Sequence, residues 1–314
     1  MPGSATDSFA EAADYQAHLN DIFAGFVLAT PGPFAAHATR ATLHHFLLLQ
    51  SRENLSRVAF VALPPDRVFI SFSSDPACPL IWRGLPLEPG EIMLHGRGER
   101  LHQRTVGPCR WGFIALPPAS LAAAYKTETG SAQAAPALGR ILRPSRRDRQ
   151  HLLRLHREAA DLAETRPPIL GHPEVVRAMD QELEGALMAC LTNSEARTET
   201  DVSRRAGDVM VRFEDVLASQ PCQKLRLAEV CGRIGVSQCV MHNFCAAFLG
   251  VSPQKYMRLR RLHLVRAAIH RADGAGVAEL ARHAGFTEPS RFAALYRAAF
   301  GETPSTTLLR VRET

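Results

Sequence analysis

The 314-residue chain has no apolar run near the roughly 20 residues that a membrane-spanning helix needs, so no membrane role is expected. It also lacks any C-x-x-C pair. Cys78, Cys109, Cys190, Cys222, Cys231, Cys239 and Cys245 fall at irregular spacing, which suggests buried thiols rather than a disulfide framework or zinc site. Residues 1–14 lack an apolar leader core and carry Asp7, Glu11 and Asp14, which predicts a cytoplasmic protein without a secretory signal. Net charge is nearly absent from residues 1–200, with 20 Lys/Arg against 21 Asp/Glu. The imbalance lies beyond them: residues 201–314 hold 17 Lys/Arg against 10 Asp/Glu, the polarity of a segment that meets a polyanion.

The chain is long enough for two cores, and a hydrophobic content of 46% supplies them. From Asp21 to about Ala115 the pattern is strand-like, with short apolar runs at 57–63, 68–72, 91–94 and 110–115. Pro64-Pro65-Asp66, Pro76, Glu88-Pro89-Gly90 and Gly107-Pro108 punctuate them. This spacing predicts a β-sandwich or barrel. Pro117-Pro118-Ala119-Ser120 opens a short helix through Tyr125. Residues 127–145 are rich in small and turn-forming residues and read as a linker. Two amphipathic helices follow, Arg147 to Glu164 and Pro173 to about Leu191, able to cover the barrel or to offer a dimer face.

Beyond residue 203 the chain turns helical and repeats itself. One unit runs Leu227-Ala-Glu-Val-Cys-Gly-Arg-Ile-Gly-Val-Ser237, then Met241, Phe244 and Leu249-Gly-Val-Ser-Pro253. The other runs Val277-Ala-Glu-Leu-Ala-Arg-His-Ala-Gly-Phe-Thr287, then Phe292, Leu295 and Phe300-Gly-Glu-Thr-Pro304. The offset is 50 residues at Gly235/Gly285 and 51 at Gly250/Gly301. In each unit a small residue, Cys231 or Ala281, precedes the turn glycine by four and lets two helices approach. The glycine supplies the positive φ that other residues resist. Ser237 is placed to cap the helix after the first turn; Thr287 or Ser290 is placed to cap the one after the second. Ser252 and Pro253 suit the start of a connecting helix with Arg258, Arg260, Arg261 and Arg266 available to solvent or phosphate.

These motifs, with Arg260-Arg-Leu-His-Leu-Val-Arg-Ala267 and Gly285-Phe-Thr-Glu-Pro-Ser-Arg-Phe292, resemble the AraC/XylS family of bacterial transcription regulators over about 225–310. The resemblance implies an α+β protein of two domains. Residues 21–126 are then a cupin-like, β-rich sensor domain after a flexible 1–20. Residues 127–200 supply a linker and amphipathic helices, and 203–314 the DNA-binding domain, with helix-turn-helix units at 225–247 and 276–299. It implies double-stranded promoter DNA as ligand, RNA polymerase and a second copy of the chain as partners, a small-molecule effector, and activation. No cofactor, metal or catalytic residue is implied. The reading helices place Gln238, Cys239, His242 and Asn243, then Ser290, Arg291 and Ala294, toward the bases, with Arg297 near the backbone. Amide side chains suit adenine and Arg291 suits guanine or phosphate. Asn243, Ala246 and Ala247 replace basic residues frequent in the family, and Cys245 replaces a core Phe.

His45, Trp82, His95 and Trp111 are the expected effector-lining residues of the barrel. A rival class, a cupin-type metal-dependent enzyme or sensor, would use His95, Glu99 and His102, whose spacing is not the usual cupin pattern. An alkyl-acceptor repair protein would need Cys222 as its reactive thiol, and no His or Glu partner motif follows it.

Overall fold

Apolar runs closed by proline and glycine form strands whose two faces are both buried, because the sheets pack on each other inside and helices cover them outside. The computed structural model describes residues 2–75, 77–130, 136, 138–197, 200–221, 224–271 and 276–313. The strands begin β1 (Gly3–Phe9), β2 (Phe23–Leu28), β3 (Ala36–Thr42), β4 (Leu47–Glu53), β5 (Arg57–Ala62), β6 (Val68–Ser73) and β7 (Ile81–Trp82). They continue with β8 (Leu85–Pro86), β9 (Ile92–Leu94), β10 (Arg100–Arg104), β11 (Cys109–Leu116), β12 (Arg140–Arg143) and β13 (Glu195–Arg197). The first helices are α1 (Ala12–His18), α2 (Pro118–Thr129), α3 (Arg146–Thr165), α4 (Pro173–Thr192) and α5 (Asp201–Ser219). Then follow α6 (Leu227–Ile234), α7 (Gln238–Leu249), α8 (Pro253–His270), α9 (Val277–His283), α10 (Pro289–Phe300) and α11 (Pro304–Glu313).

The strands make two antiparallel sheets, ordered β1-β3-β4-β11-β6-β9-β12-β13 and β2-β5-β10-β7-β8. Residues between the sheets, such as Leu49, Val61, Phe69, Leu101 and Phe113, form one core. Alternation sends Leu48, Ile70, Phe72 and Ile114 to the opposite face of the first sheet, where α2, α3 and α4 bury them. The apolar stripes of α3 and α4 are therefore spent on the sheet. The second sheet offers Val27 and Val58 to a third core, shared with α5 through α11. The order of layers is helices, sheet, sheet, C-terminal helices.

Several elements differ from expectation. Residues 1–20, expected to be flexible, form β1, paired with β3 from Gly3↔Thr42 to Phe9↔Ala36, and α1, whose Tyr15 is fully buried. β12 lies within the expected linker and pairs with β9 and β13. Thr287 and Ser290 do not cap α10. Glu288 takes the cap position because Pro289, with its preset φ, occupies the first helical residue.

Two polar clusters fasten the helical domain to the N-terminal domain. Buried Glu214 of α5 accepts from His102 Nε2 at 2.9 Å and Tyr256 Oη at 2.5 Å and lies 3.5 Å from Arg260 Nε. Glu11, beside α1, accepts from Arg266 Nε at 2.8 Å and Arg310 at 3.0 Å, with His270 at 3.2 Å. Burial raises the Glu11 carboxyl, but the hydrogen bonds from His270 and Arg266 bring it down to about 2. Leu28 N–H also donates to His263 Nε2 at 3.0 Å.

Candidate functional site

Both repeats build the same turn. Gly235 and Gly285 have φ of +82° and +76°, and the next residue closes the bend on the small one's carbonyl. Val236 N–H reaches Cys231 O at 3.1 Å, and Phe286 N–H reaches Ala281 O at 2.9 Å. Cys231 and Ala281 are each 3% exposed, as close helix approach requires. Ser237 Oγ caps α7 by accepting from Val240 N–H at 3.2 Å, and Ser252 caps α8 through Lys255 N–H at 3.3 Å. Gly250 and Gly301 end α7 and α10 in the left-handed conformation.

The two turns differ in crowding. A Cβ on Gly235 would meet nothing within 4 Å, whereas one on Gly285 would sit 3.1 Å from Lys224 N and Cβ. Gly235→Ala should cost about 1 kcal/mol, and Gly285→Ala about 2–3 kcal/mol because steric displacement adds to backbone strain. Equal shifts of the two denaturation midpoints would contradict this ranking.

Gln238, Cys239, Asn243, Ser290, Arg291, Ala294 and Arg297 are all exposed, and His242 is half-buried. His242 Nδ1 donates to Gln238 O at 2.8 Å, one turn back, which leaves Nε2 as the available ring atom. Gln238 and Arg291, at the starts of α7 and α10, line one open cleft of about 620 Å³ together with Arg258 and Thr287. A positive helix end points into it from each unit.

The arginines of α8 fall short of their expected role. Arg260 and Arg266 pair with Glu214 and with Glu11 and Glu302. Arg261 donates to Ala284 O at 3.2 Å and stacks over Phe286 at 4.7 Å. Of the four, only Arg258 has no partner among the described residues. α8 serves mainly as a strut, and of its four arginines Arg258 alone stays available to phosphate among the described residues.

The barrel residues scatter. His45 is exposed in the β3–β4 turn rather than on a strand, with its backbone N–H donating to Asp180 of α4 at 3.3 Å. Trp111 is buried, but its Nε1–H is spent on Glu53 at 2.8 Å. Glu53 also accepts from Tyr15 Oη at 2.7 Å and Arg57 Nε at 2.8 Å, and Arg57 bonds Gln103. That end of the interior is filled. Trp82 and His95 remain together, with rings 4.8 Å apart. Trp82 lines a cavity of about 30 Å³ with Arg83, Met93 and Ile141, and its Nε1 has no hydrogen-bond partner among the described residues.

His95 bonds Ser71 at 3.1 Å and Glu99 at 3.1 Å, while His102 faces out to Glu214. The three groups of the rival metal reading therefore do not converge. Among the described residues no group of three His, Cys, Asp or Glu is placed to hold a metal. Cys222 lies outside the described residues. Sequence reasoning missed Arg83 and Gly84. Their signal was faint, a Trp-Arg-Gly run between two-residue strands, yet Arg83 is the one described non-glycine residue with positive φ, +49°.

Residues 230–310 match a family model described as "Helix-turn-helix domain". Two glycine-turned helix pairs on one strut, with both second helices open to solvent, define a paired helix-turn-helix DNA-binding domain. In this domain the chain is similar to the AraC/XylS regulators. It is 32% identical over 143 residues to the "Probable thc operon regulatory protein" of Rhodococcus erythropolis, which covers 45% of this chain and 43% of that one. It is 26% identical over 236 residues to the "XylDLEGF operon transcriptional activator 3" of Pseudomonas putida, covering 73% and 69%. The solved AraC-like transcriptional activator CuxR aligns with 90% of this chain and all of its own at 16% identity, with a TM-score of 0.45. The chain thus spans less than half the length of the thc operon relative that it matches. No described helix is long and apolar enough to cross a membrane.

Proposed function

We propose that the protein is a sequence-specific transcription regulator, an activator, that holds promoter DNA through α7 and α10. The observation that carries this reading is the shared cleft onto which Gln238 and Arg291 open from equivalent turns. The similarity to a protein described as an operon transcriptional activator supports activation. In this reading the chain works in the cytoplasm as a regulator and not as an enzyme, with RNA polymerase and a second copy of itself as partners at the promoter. A dimer would use a surface other than the apolar stripes of α3 and α4, which the first sheet occupies.

The effector, a small molecule, enters at the Trp82–His95 end of the barrel. The cavity must open to admit it. The hairpin that lines this cavity also touches the DNA-binding helices. A Cβ on Gly207 of α5 would lie 2.6 Å from the Arg83 guanidinium, and one on Gly84 would lie 3.1 Å from the Phe248 ring at the end of α7. Movement of Trp82 and Arg83 would thereby shift the first reading helix.

A gel shift with DNA from the protein's own genomic neighbourhood tests the reading. Affinity should fall steeply with salt. Arg291→Ala should weaken binding by about 1–3 kcal/mol or relax specificity at one position, and Arg297→Ala should lower the salt slope by about one. His242→Ala should alter preference at a single base step. Undiminished affinity in Arg291→Ala would remove that residue from the interface.

A further inference from the structure

The first sheet carries a row of basic residues on the face away from the DNA-binding domain. His37 of β3 is the direct cross-strand partner of Arg52 in β4, and Arg52 is the direct partner of Arg110 in β11. Like charges directly opposite each other destabilise a sheet. α3 adds Arg157 from above. Arg52, Arg110 and Arg157 make no ion pair or side-chain hydrogen bond among the described residues. The acids here are already engaged: Glu164, itself on the wall of the cavity between sheet and helix, pairs with His37 at 3.2 Å, and Glu158 pairs with Arg154 at 3.4 Å.

The three guanidinium groups line a cavity of about 180 Å³ between sheet and helix, with Ser74 and Leu153 also on its wall. Its inner edge is rigid. Gly112 has no side chain because His156 of α3 sits there: a Cβ would be 2.8 Å from the His156 ring and 2.7 Å from Leu49 O. His156 Nε2 donates to Leu49 O at 3.0 Å, fixing α3 against the strand. Burial pushes His156 down to about 4, so the ring is neutral and the charge at the site comes from arginine.

We propose that this cavity binds a small phosphorylated metabolite. Its phosphate group would sit between Arg52, Arg110 and Arg157, and its short carbon skeleton would lie against Leu153. Arginine forks suit phosphate oxygens bidentately, and three of them balance a dianion. The site is separate from the Trp82 cavity and from the reading helices, because the DNA-binding domain packs on the other sheet. Bound phosphate would tie α3 to β4 and β11 and relieve the Arg52–Arg110 repulsion.

The test is thermal melting of the full chain at matched ionic strength with inorganic phosphate, glycerol phosphate, and glycerol plus acetate as control. Both phosphate compounds should raise the midpoint in a saturable way, and the control should not. Tighter binding of glycerol phosphate assigns the site to a phosphoester; tighter binding of inorganic phosphate assigns it to the free ion and overturns the metabolite. In Arg52→Gln/Arg110→Gln the half-saturating concentration should rise at least about tenfold, with gel-shift affinity unchanged in phosphate-free buffer. If that variant fails to fold, Arg157→Gln, exposed on its helix, carries the same expectation. A variant that responds to phosphate like the parent chain, or no response in the parent, would overturn the proposal.

Discussion

Glu214→Ala is expected to lower the stability of the full chain by about 3–5 kcal/mol, the loss typical when one member of a buried charged cluster is removed. The carboxylate is 2% exposed and holds three groups from two elements: His102 of β10, and Tyr256 and Arg260 of α8. Burial would raise the Glu214 carboxyl, yet the hydrogen bond from His102 and the charge of Arg260 hold it below its ordinary range. Its removal strands the Tyr256 hydroxyl and the His102 N–H without acceptors. Because the cluster spans the junction of the domains, the loss should appear as uncoupling. Both tryptophans, Trp82 and Trp111, lie in the sheets, so their fluorescence reports the barrel while far-UV ellipticity reports mainly the helices. In the parent chain the two urea transitions should coincide; in Glu214→Ala they should separate. Glu214→Gln keeps the volume and should fall between. Coincident, unshifted transitions in Glu214→Ala would show that the cluster does not couple the domains.

Acid should loosen the molecule in two stages. Burial pushes His156 down to about 4, and burial with the nearby Arg266 charge pushes His263 down to about 3. Both are therefore neutral in the fold, and the unfolded chain takes up their protons first. The sign follows: stability is fully present above about pH 6.5, falls as pH drops below it, and stops falling near the folded values. For His156, 2% exposed, the loss by pH 4 is about 3 kcal/mol. Protonating His263 also removes the acceptor of the Leu28 N–H, so the junction should open in the same range. The second stage belongs to carboxylates. Glu11 and Glu214 have lowered folded pKa values, so their contribution is present above about pH 4.5 and lost below it, for Glu11 toward pH 2. His156→Gln should flatten the stability profile between pH 6.5 and 4, and an unchanged slope would exclude His156 as its source.

The helix-turn-helix units were legible because their constraints are local: a glycine that must adopt positive φ, a small residue four before it, and a serine cap. The second unit's cap was misread because Pro289 moved the helix start by one residue. β3 escaped notice for a different reason. Ala36, Ala38 and Ala41 carry its buried positions, and alanine gives little periodic signal. β10, Arg-Leu-His-Gln-Arg, looks too polar for a buried strand. Its His102 meets Glu214 and its Arg100 meets Asp215, partners more than a hundred residues away. Separation along the chain likewise hid the Glu11 cluster and the Arg52–Arg110 pairing, since register between strands is set by the whole sheet and not by neighbours in the chain. His45 was misplaced because a His-His pair before a leucine run reads equally well as strand or turn; Asp180 of α4 decides for the turn.

Hydroxyl-radical protection of promoter DNA by the full chain tests most directly whether α7 and α10 act together. Two protected stretches are expected on one face of the duplex, about one helical turn apart, with Arg291→Ala losing one and keeping the other. A single stretch in the parent protein, stretches on opposite faces, or no protection at low salt would contradict the paired reading of the groove.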